Sequence, residues 1–136
     1  MDRKTQTVAP PLAGSVLSSG DTSFCVGEWR DAGGCDPPRL IAPLHLHRSD
    51  DEAWYVLEGV LCVQRAEEVV EVHAGSGVLF KRGTPHTYGN PKPEPARYLL
   101  IMTPNISRLI ADIHALKDRI SSALRALFER YDSELL

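Results

Sequence analysis

The stretch that decides the fold reads HLHRSDDEAWYVLEG at residues 45–59. A second stretch, GSGVLFKRGTPHTYGN at residues 75–90, complements it with a third histidine. Side chains two apart on a strand project to the same face, so the His-x-His pair presents two imidazoles together. A glutamate opens the next strand-like run, and a third histidine opens a later one. Three imidazoles and one carboxylate predict a divalent metal site with positions open to water or substrate. The candidate ligands are His45, His47, Glu52 and His86.

Around these stretches, short runs of β-forming residues alternate with turn residues. Gly59 separates two such runs and can take the positive φ of a tight hairpin, whereas the prolines of residues 90–95 exclude regular ladder bonding. Short strands separated at regular intervals by turn residues indicate a β-sandwich or a β-barrel. The predicted strands are Thr22–Trp29, Leu40–His47, Ala53–Glu58, Val60–Arg65, Val69–His73, Gly77–Phe80, His86–Gly89 and Arg97–Thr103.

Beyond Thr103 the hydrophobic period changes from two to about 3.6, which predicts an amphipathic helix. Asn105 is the expected N-cap, and Ser121 with the serine after it is a candidate break into two helices. The polar face mixes both charge signs, which favours a helix that covers the β structure or a partner subunit over a membrane helix. The predicted organisation is an extended N-terminal arm at 1–20, a β-barrel at 21–103 and a helical segment at 104–136.

Composition narrows the classes of partner. The chain has 136 residues, enough for one domain with its own core, and a formal net charge of −3 with basic residues scattered among acidic ones. Nucleic acid is therefore not an expected partner. Neither a signal peptide nor a bilayer-spanning run is visible, so no membrane partner is expected and we predict a soluble cytoplasmic protein.

The two stretches resemble the paired motifs of the cupin superfamily. The first motif is matched by His45, His47, Glu52 and Gly59, with Arg39 in place of its leading glycine. The second is matched by Gly75, Gly83, His86 and Asn90, with Lys81 in place of its proline. Both departures fall in turns, not at ligands. The resemblance implies a mainly β fold, a single-domain cupin jelly-roll β-barrel, here followed by the C-terminal amphipathic helix.

The likeness extends more weakly to small cupins that resemble quercetin dioxygenases. It implies a divalent transition metal (Fe, Mn, Ni, Cu or Zn), a small oxygenated organic substrate and oxidative cleavage by a dioxygenase. Glu52 would then be both a metal ligand and the catalytic proton acceptor. A cupin that binds or senses a small molecule without turnover is the alternative. The resemblance also implies a homodimer.

Strand parity predicts part of the pocket wall. Trp54 shares the face of the glutamate ligand and Tyr88 that of the third histidine, so both are candidate substrate-binding residues, with barrel-filling aromatics as the alternative. Two other histidines, His73 and His114, lack a partner at ligand spacing and are predicted not to bind metal. Lys81 and Arg82 either meet an anionic ligand or are solvated.

Overall fold

A computed structural model describes residues 8–34 and 40–136 of the chain. Residues 1–7 of the predicted arm and Arg39 of the first motif lie outside the described residues. In chain order the elements are β1 (Val16–Leu17), β2 (Cys25–Asp31), β3 (Leu40–His47), β4 (Glu52–Glu58), β5 (Val60–Arg65), β6 (Glu68–His73), β7 (Gly77–Phe80), β8 (His86–Gly89), β9 (Ala96–Met102), α1 (Pro104–Ala115), α2 (Ser121–Arg130) and β10 (Ser133–Leu135).

The strands form two antiparallel sheets of five strands each. Their orders are β1-β2-β9-β4-β7 and β10-β3-β8-β5-β6. Side chains from both sheets meet in one apolar core; the rings of Trp54 on β4 and Tyr88 on β8, for example, have centroids 4.0 Å apart. The mainly β jelly-roll prediction is confirmed, although the ladders form two separate sheets and not a closed barrel.

The β4–β5 hairpin turns at Gly59, as the sequence predicts. Its φ is +80°, and a Cβ added there would lie 2.4 Å from the carbonyl oxygen of Pro95. Both the backbone angle and the close approach of the neighbouring chain require glycine. Next to the hairpin the pairing of β4 with β9 shifts register between Val56 and Glu58, and at the other end of β4 Glu52 pairs with Phe80 of β7.

The first helix is capped by a different residue from the one predicted. Thr103 is the N-cap: its hydroxyl accepts a hydrogen bond from the amide of Ile106, with Pro104 in the first turn. The side chain of Asn105 instead donates to a carboxylate oxygen of Asp50 and to the carbonyl of Tyr131. Because Thr103 keeps extended geometry at the end of β9, it can cap the helix before the asparagine is reached.

The second helix begins at Ser121, where the sequence indicates a break. Neither described helix is long and apolar enough to cross a bilayer. The C-terminal turn of α2 is followed by β10, a three-residue strand that the sequence does not predict. β10 pairs antiparallel with β3, so that Ser133 lies opposite His47 and Leu135 opposite His45. The end of the described chain therefore joins the strand that carries two candidate ligands.

Candidate metal centre

Three strands bring the four predicted ligands together. His45 and His47 lie at the end of β3, Glu52 begins β4, and His86 begins β8 opposite His45. All four side chains are buried, and one donor atom from each lies within 4.8 Å of the others. The predicted ligand group is therefore one cluster in the structure.

Backbone carbonyls orient two of the imidazoles. Nδ1 of His45 lies 2.7 Å from the carbonyl oxygen of Pro43, and Nδ1 of His86 lies 2.9 Å from that of Thr84. A carbonyl can only accept, so each Nδ1 carries the proton and donates it. In the neutral form of each ring, Nε2 then keeps its lone pair, which is the tautomer that a metal ligand needs.

A serine orients the third imidazole. Nδ1 of His47 lies 2.7 Å from Oγ of Ser133, whose hydroxyl donates to the carbonyl of Tyr131 at 3.1 Å. Since the serine proton is directed at that carbonyl, Oγ accepts from His47, and Nε2 again keeps its lone pair. Sequence reasoning missed Ser133, because it lies 86 residues away in the chain and belongs to an unpredicted strand.

The carboxylate faces these lone pairs directly. Oε1 of Glu52 lies 2.8 Å from Nε2 of His86, and Oε2 lies 3.9 Å from Nε2 of His47. With the Nδ1 protons placed as above, an unprotonated imidazole nitrogen and a carboxylate oxygen are in contact, and a proton or a cation must lie between them. Two atoms bound to one metal at about 2.1 Å lie about 3.0 Å apart at right angles and about 4.2 Å apart when they are opposite, so these two separations suit ligands of one divalent ion.

Burial keeps two of the imidazoles neutral. It is the largest influence on His45 and His47, followed by the nearby His86, and together they lower the pKa of each from 6.5 to about 4. At neutral pH these side chains need not lose a proton before they bind a metal. The neutral charge of these rings and their Nδ1-protonated tautomers both favour the binding of one divalent cation.

A cavity of about 180 Å³ opens beside the cluster. His45, His47 and Glu52 line it, so an ion held by the four groups would face this space. Its other walls are mainly apolar and come from both sheets and both helices: Trp29, Ile41, Ala42, Pro43, Trp54, Tyr88, Leu100, Ile106, Leu109, Ile110, Ile113, Leu124 and Phe128. The helical segment thus forms part of the wall, which the sequence indicated only as a cover for the β structure.

Both aromatic residues predicted for the pocket lie in its wall. Trp54 and Tyr88 are buried, and Trp54 Nε1 has no hydrogen-bond partner in the described part of the chain. The hydroxyl of Tyr88 lies 2.8 Å from that of Tyr98, and burial raises the pKa of both, that of Tyr98 to about 12. Their position is as predicted; contact with a substrate stays a prediction.

The remaining polar candidates lie outside the ligand group. His73 is exposed beside Glu71 on β6, and Arg82 pairs with Asp51 at 3.0 Å. His114 is not part of the four-residue ligand group, but together with Arg119 it lines the cavity, which sequence reasoning missed. Neither residue carries a motif, and only the packing of the helices brings them there.

Comparison with known sequences identifies a family match. Residues 35–102, half of the chain, match the Cupin domain family. Mannose-1-phosphate guanylyltransferase from Salmonella muenchen is 29% identical over 89 residues, which cover 65% of this chain and 18% of that protein. The chain therefore spans less than a fifth of the length of this curated relative.

Solved structures share the fold. A sugar phosphate isomerase of the cupin superfamily from Silicibacter pomeroyi is 25% identical, with a TM-score of 0.53 over 62% of this chain and 54% of that one. A cupin protein from Bacteroides fragilis is 17% identical, with a TM-score of 0.60 over 76% of this chain and 86% of that one. These likenesses support the two-sheet architecture.

Proposed function

The chain belongs to the cupin family, and from that membership we propose that it is a metal-dependent enzyme of the dioxygenase class. Its substrate would be a small, largely apolar molecule that approaches the metal through an oxygen atom. The observation that carries the proposal is the position of His45, His47 and Glu52. They belong to the four-residue ligand group and also line an otherwise mainly apolar cavity.

A bound divalent transition metal would supply Lewis acidity toward a substrate oxygen and, for a redox-active ion, dioxygen chemistry. In dioxygenation both atoms of dioxygen enter the product, so the electrons balance without a separate reductant. The chain's own contribution is positioning and proton handling. The Glu52 carboxylate lies at the cavity wall, where it can accept a proton from a substrate hydroxyl. The apolar walls exclude water from the reacting groups.

Cavity size narrows the substrate. A cavity of about 150 Å³ is known to hold benzene, and this one measures about 180 Å³. The space suits one substituted ring or a diketone of similar size, whereas a flavonol would have to extend out through the open side of the cavity. We therefore place single-ring catechols and diketones ahead of flavonols as substrates.

The second candidate function is a cupin that binds or senses a small molecule without turnover. One observation favours it: among the described residues that line the cavity, Glu52 is the only carboxylate, and it is itself a candidate ligand. Chemistry that needs a second carboxylate in the cavity would have to take it from elsewhere. The predicted homodimer and cytoplasmic location stay predictions under both candidates.

Metal analysis combined with oxygen uptake tests the proposal. The purified protein is analysed for Fe, Mn, Ni, Cu and Zn, and oxygen consumption is then followed with catechols, diketones and flavonols. His86→Ala removes a ligand, and His73→Ala is the matched control, because it removes an exposed histidine outside the group. We expect stoichiometric metal and uptake in the unaltered protein and in His73→Ala, and loss of both in His86→Ala.

The outcomes separate the candidates. Bound metal without oxygen uptake on any compound of the panel favours the binding protein over the enzyme. Uptake that persists in His86→Ala contradicts the role of the ligand group. A protein that binds no metal, even after anaerobic reconstitution near neutral pH, overturns both candidates.

A further inference from the structure

The cavity carries one cationic side chain whose charge the proposed function does not use. Arg119 lies in the connection between α1 and α2 and lines the same space as His45, His47 and Glu52. Among the described lining residues, it is the only arginine or lysine, and Glu52 is the only carboxylate. With a divalent ion in the ligand group, the charge around the cavity is positive overall. A positive, mainly apolar cavity favours an anion with an apolar body.

We infer that the cavity selects a small organic acid, with an oxygen donor directed at the metal ligands and its carboxylate directed at Arg119. The inference rests on the proposed function for the metal and names the substrate class of that site. Arg119 would then determine specificity without taking part in the chemistry.

The guanidinium is available for this role. Within residues 8–34 and 40–136, no Asp or Glu side chain forms an ion pair with Arg119, whereas Asp51 engages Arg82 through two side-chain hydrogen bonds. Its planar fork of N–H donors matches the two oxygens of a carboxylate. Arg119 is exposed, so a bidentate pair there would lie at the open side of the cavity and would stay partly screened by water and salt.

The apolar walls of the cavity argue against a phosphorylated sugar as the substrate. Sugar phosphates appear in the names of two of the relatives above, the guanylyltransferase and the isomerase. A sugar carries several hydroxyl groups, and each one placed against aliphatic side chains without a partner loses its hydrogen bonds to water. A ring with one carboxylate leaves its apolar body against Ile110, Ile113 and Leu124, which line the cavity beside Arg119.

Ligand binding to the zinc-loaded protein tests this without any turnover. The chain has two tryptophans, Trp29 and Trp54, and both line the cavity, so their fluorescence reports on this site. The probes are 3,4-dihydroxybenzoate and its methyl ester, which share the catechol oxygens and differ in charge. We expect the acid to bind about tenfold more tightly, the usual scale of a hydrogen bond to a charged group.

Two variants test whether Arg119 causes the preference for the acid over the ester. Arg119→Ala should bind both probes equally, whereas Lys117→Ala, which removes an exposed cation that does not line the cavity, should keep the tenfold difference. Higher salt should reduce the preference of the unaltered protein and leave binding of the ester unchanged, because only the charged contact is screened.

Several results overturn the inference. Equal affinity for acid and ester in the unaltered protein does so, as does a preference that survives Arg119→Ala or a tighter affinity for mannose 1-phosphate than for the acid. Zinc content is measured first, so the two proposals fail separately. Zinc bound without preference for the acid refutes the organic-acid inference alone, whereas absence of zinc binding refutes the proposed function beneath it.

Discussion

Replacement of Ser133 by alanine should weaken metal binding without unfolding the protein. The Ser133 side chain is fully buried, and its Oγ lies 2.7 Å from Nδ1 of His47. Without the hydroxyl, the Nδ1 proton of His47 is buried with no acceptor, and the ring is free to rotate or to change tautomer. Loss of such a partner to a metal-binding histidine lowers metal affinity by about 10- to 100-fold, or about 1.4–2.7 kcal/mol.

The same substitution affects the metal-free protein by a separate amount. An unsatisfied buried donor costs about 1–3 kcal/mol of unfolding free energy, and the carbonyl of Tyr131 loses one of its two donors while it keeps the Asn105 amide. Urea unfolding of the metal-free protein measures this cost. Titration with Co²⁺ against a competing chelator measures affinity, and the visible absorption of bound Co²⁺ reports on its coordination geometry.

The control is Ser122→Ala, which makes the same chemical change at an exposed position on α2. It should leave affinity and the Co²⁺ spectrum unchanged. Unaltered affinity in Ser133→Ala, at full occupancy and with an unchanged spectrum, would refute the reasoning, because the hydrogen bond would then have no influence on His47. A loss of stability alone would assign the serine a purely structural role.

Two further predictions concern pH and the β4–β5 turn. In the metal-free protein, the folded pKa of His45 and His47 is about 4 against an ordinary 6.5, so stability present above pH 6.5 should fall toward pH 4 and then level off. The loss should be on the order of a few kcal/mol in urea titrations across that range, and a flat profile would contradict burial of the neutral rings. Gly59→Ala should cost more stability than Gly75→Ala. The two glycines have similar positive φ angles, +80° at Gly59 and +86° at Gly75, but only a Cβ at Gly59 would meet the Pro95 carbonyl. We expect about 1 kcal/mol for Gly75→Ala and at least 1–2 kcal/mol more for Gly59→Ala, and equal costs would argue against the close approach.

The ligand group could be predicted because short-range rules determine most of it. Strand alternation places His45 and His47 on one face, and the brief turn before Glu52 returns the chain to the same end of the fold. His86 was placed by its motif spacing and by the turn before it. The same alternation placed Trp54 and Tyr88 at the cavity. These inferences need only the period of a strand and the position of its turns.

The parts that could not be predicted depend on packing between distant segments. Ser133 acquires its role only when β10 pairs with β3, and a three-residue strand after a helix leaves almost no periodic signal. Arg119 reaches the cavity because two helices pack over it. Local sequence predicts Asn105 as the helix cap, whereas the structure has Thr103, because the end of β9 determines which residue is still extended. Local propensity does not contain this information.

The β10 strand also bears on how quickly a metal would leave. It is three residues long and lies at the edge of its sheet, so we expect it to open at a lower free energy than the molecule as a whole. Each such opening would take Ser133 away from His47 while the other strands of both sheets stay paired. Metal exchange would then follow the frequency of this local fraying, and amide hydrogen exchange at Ser133–Leu135 would report the same event as the dissociation rate of the ion.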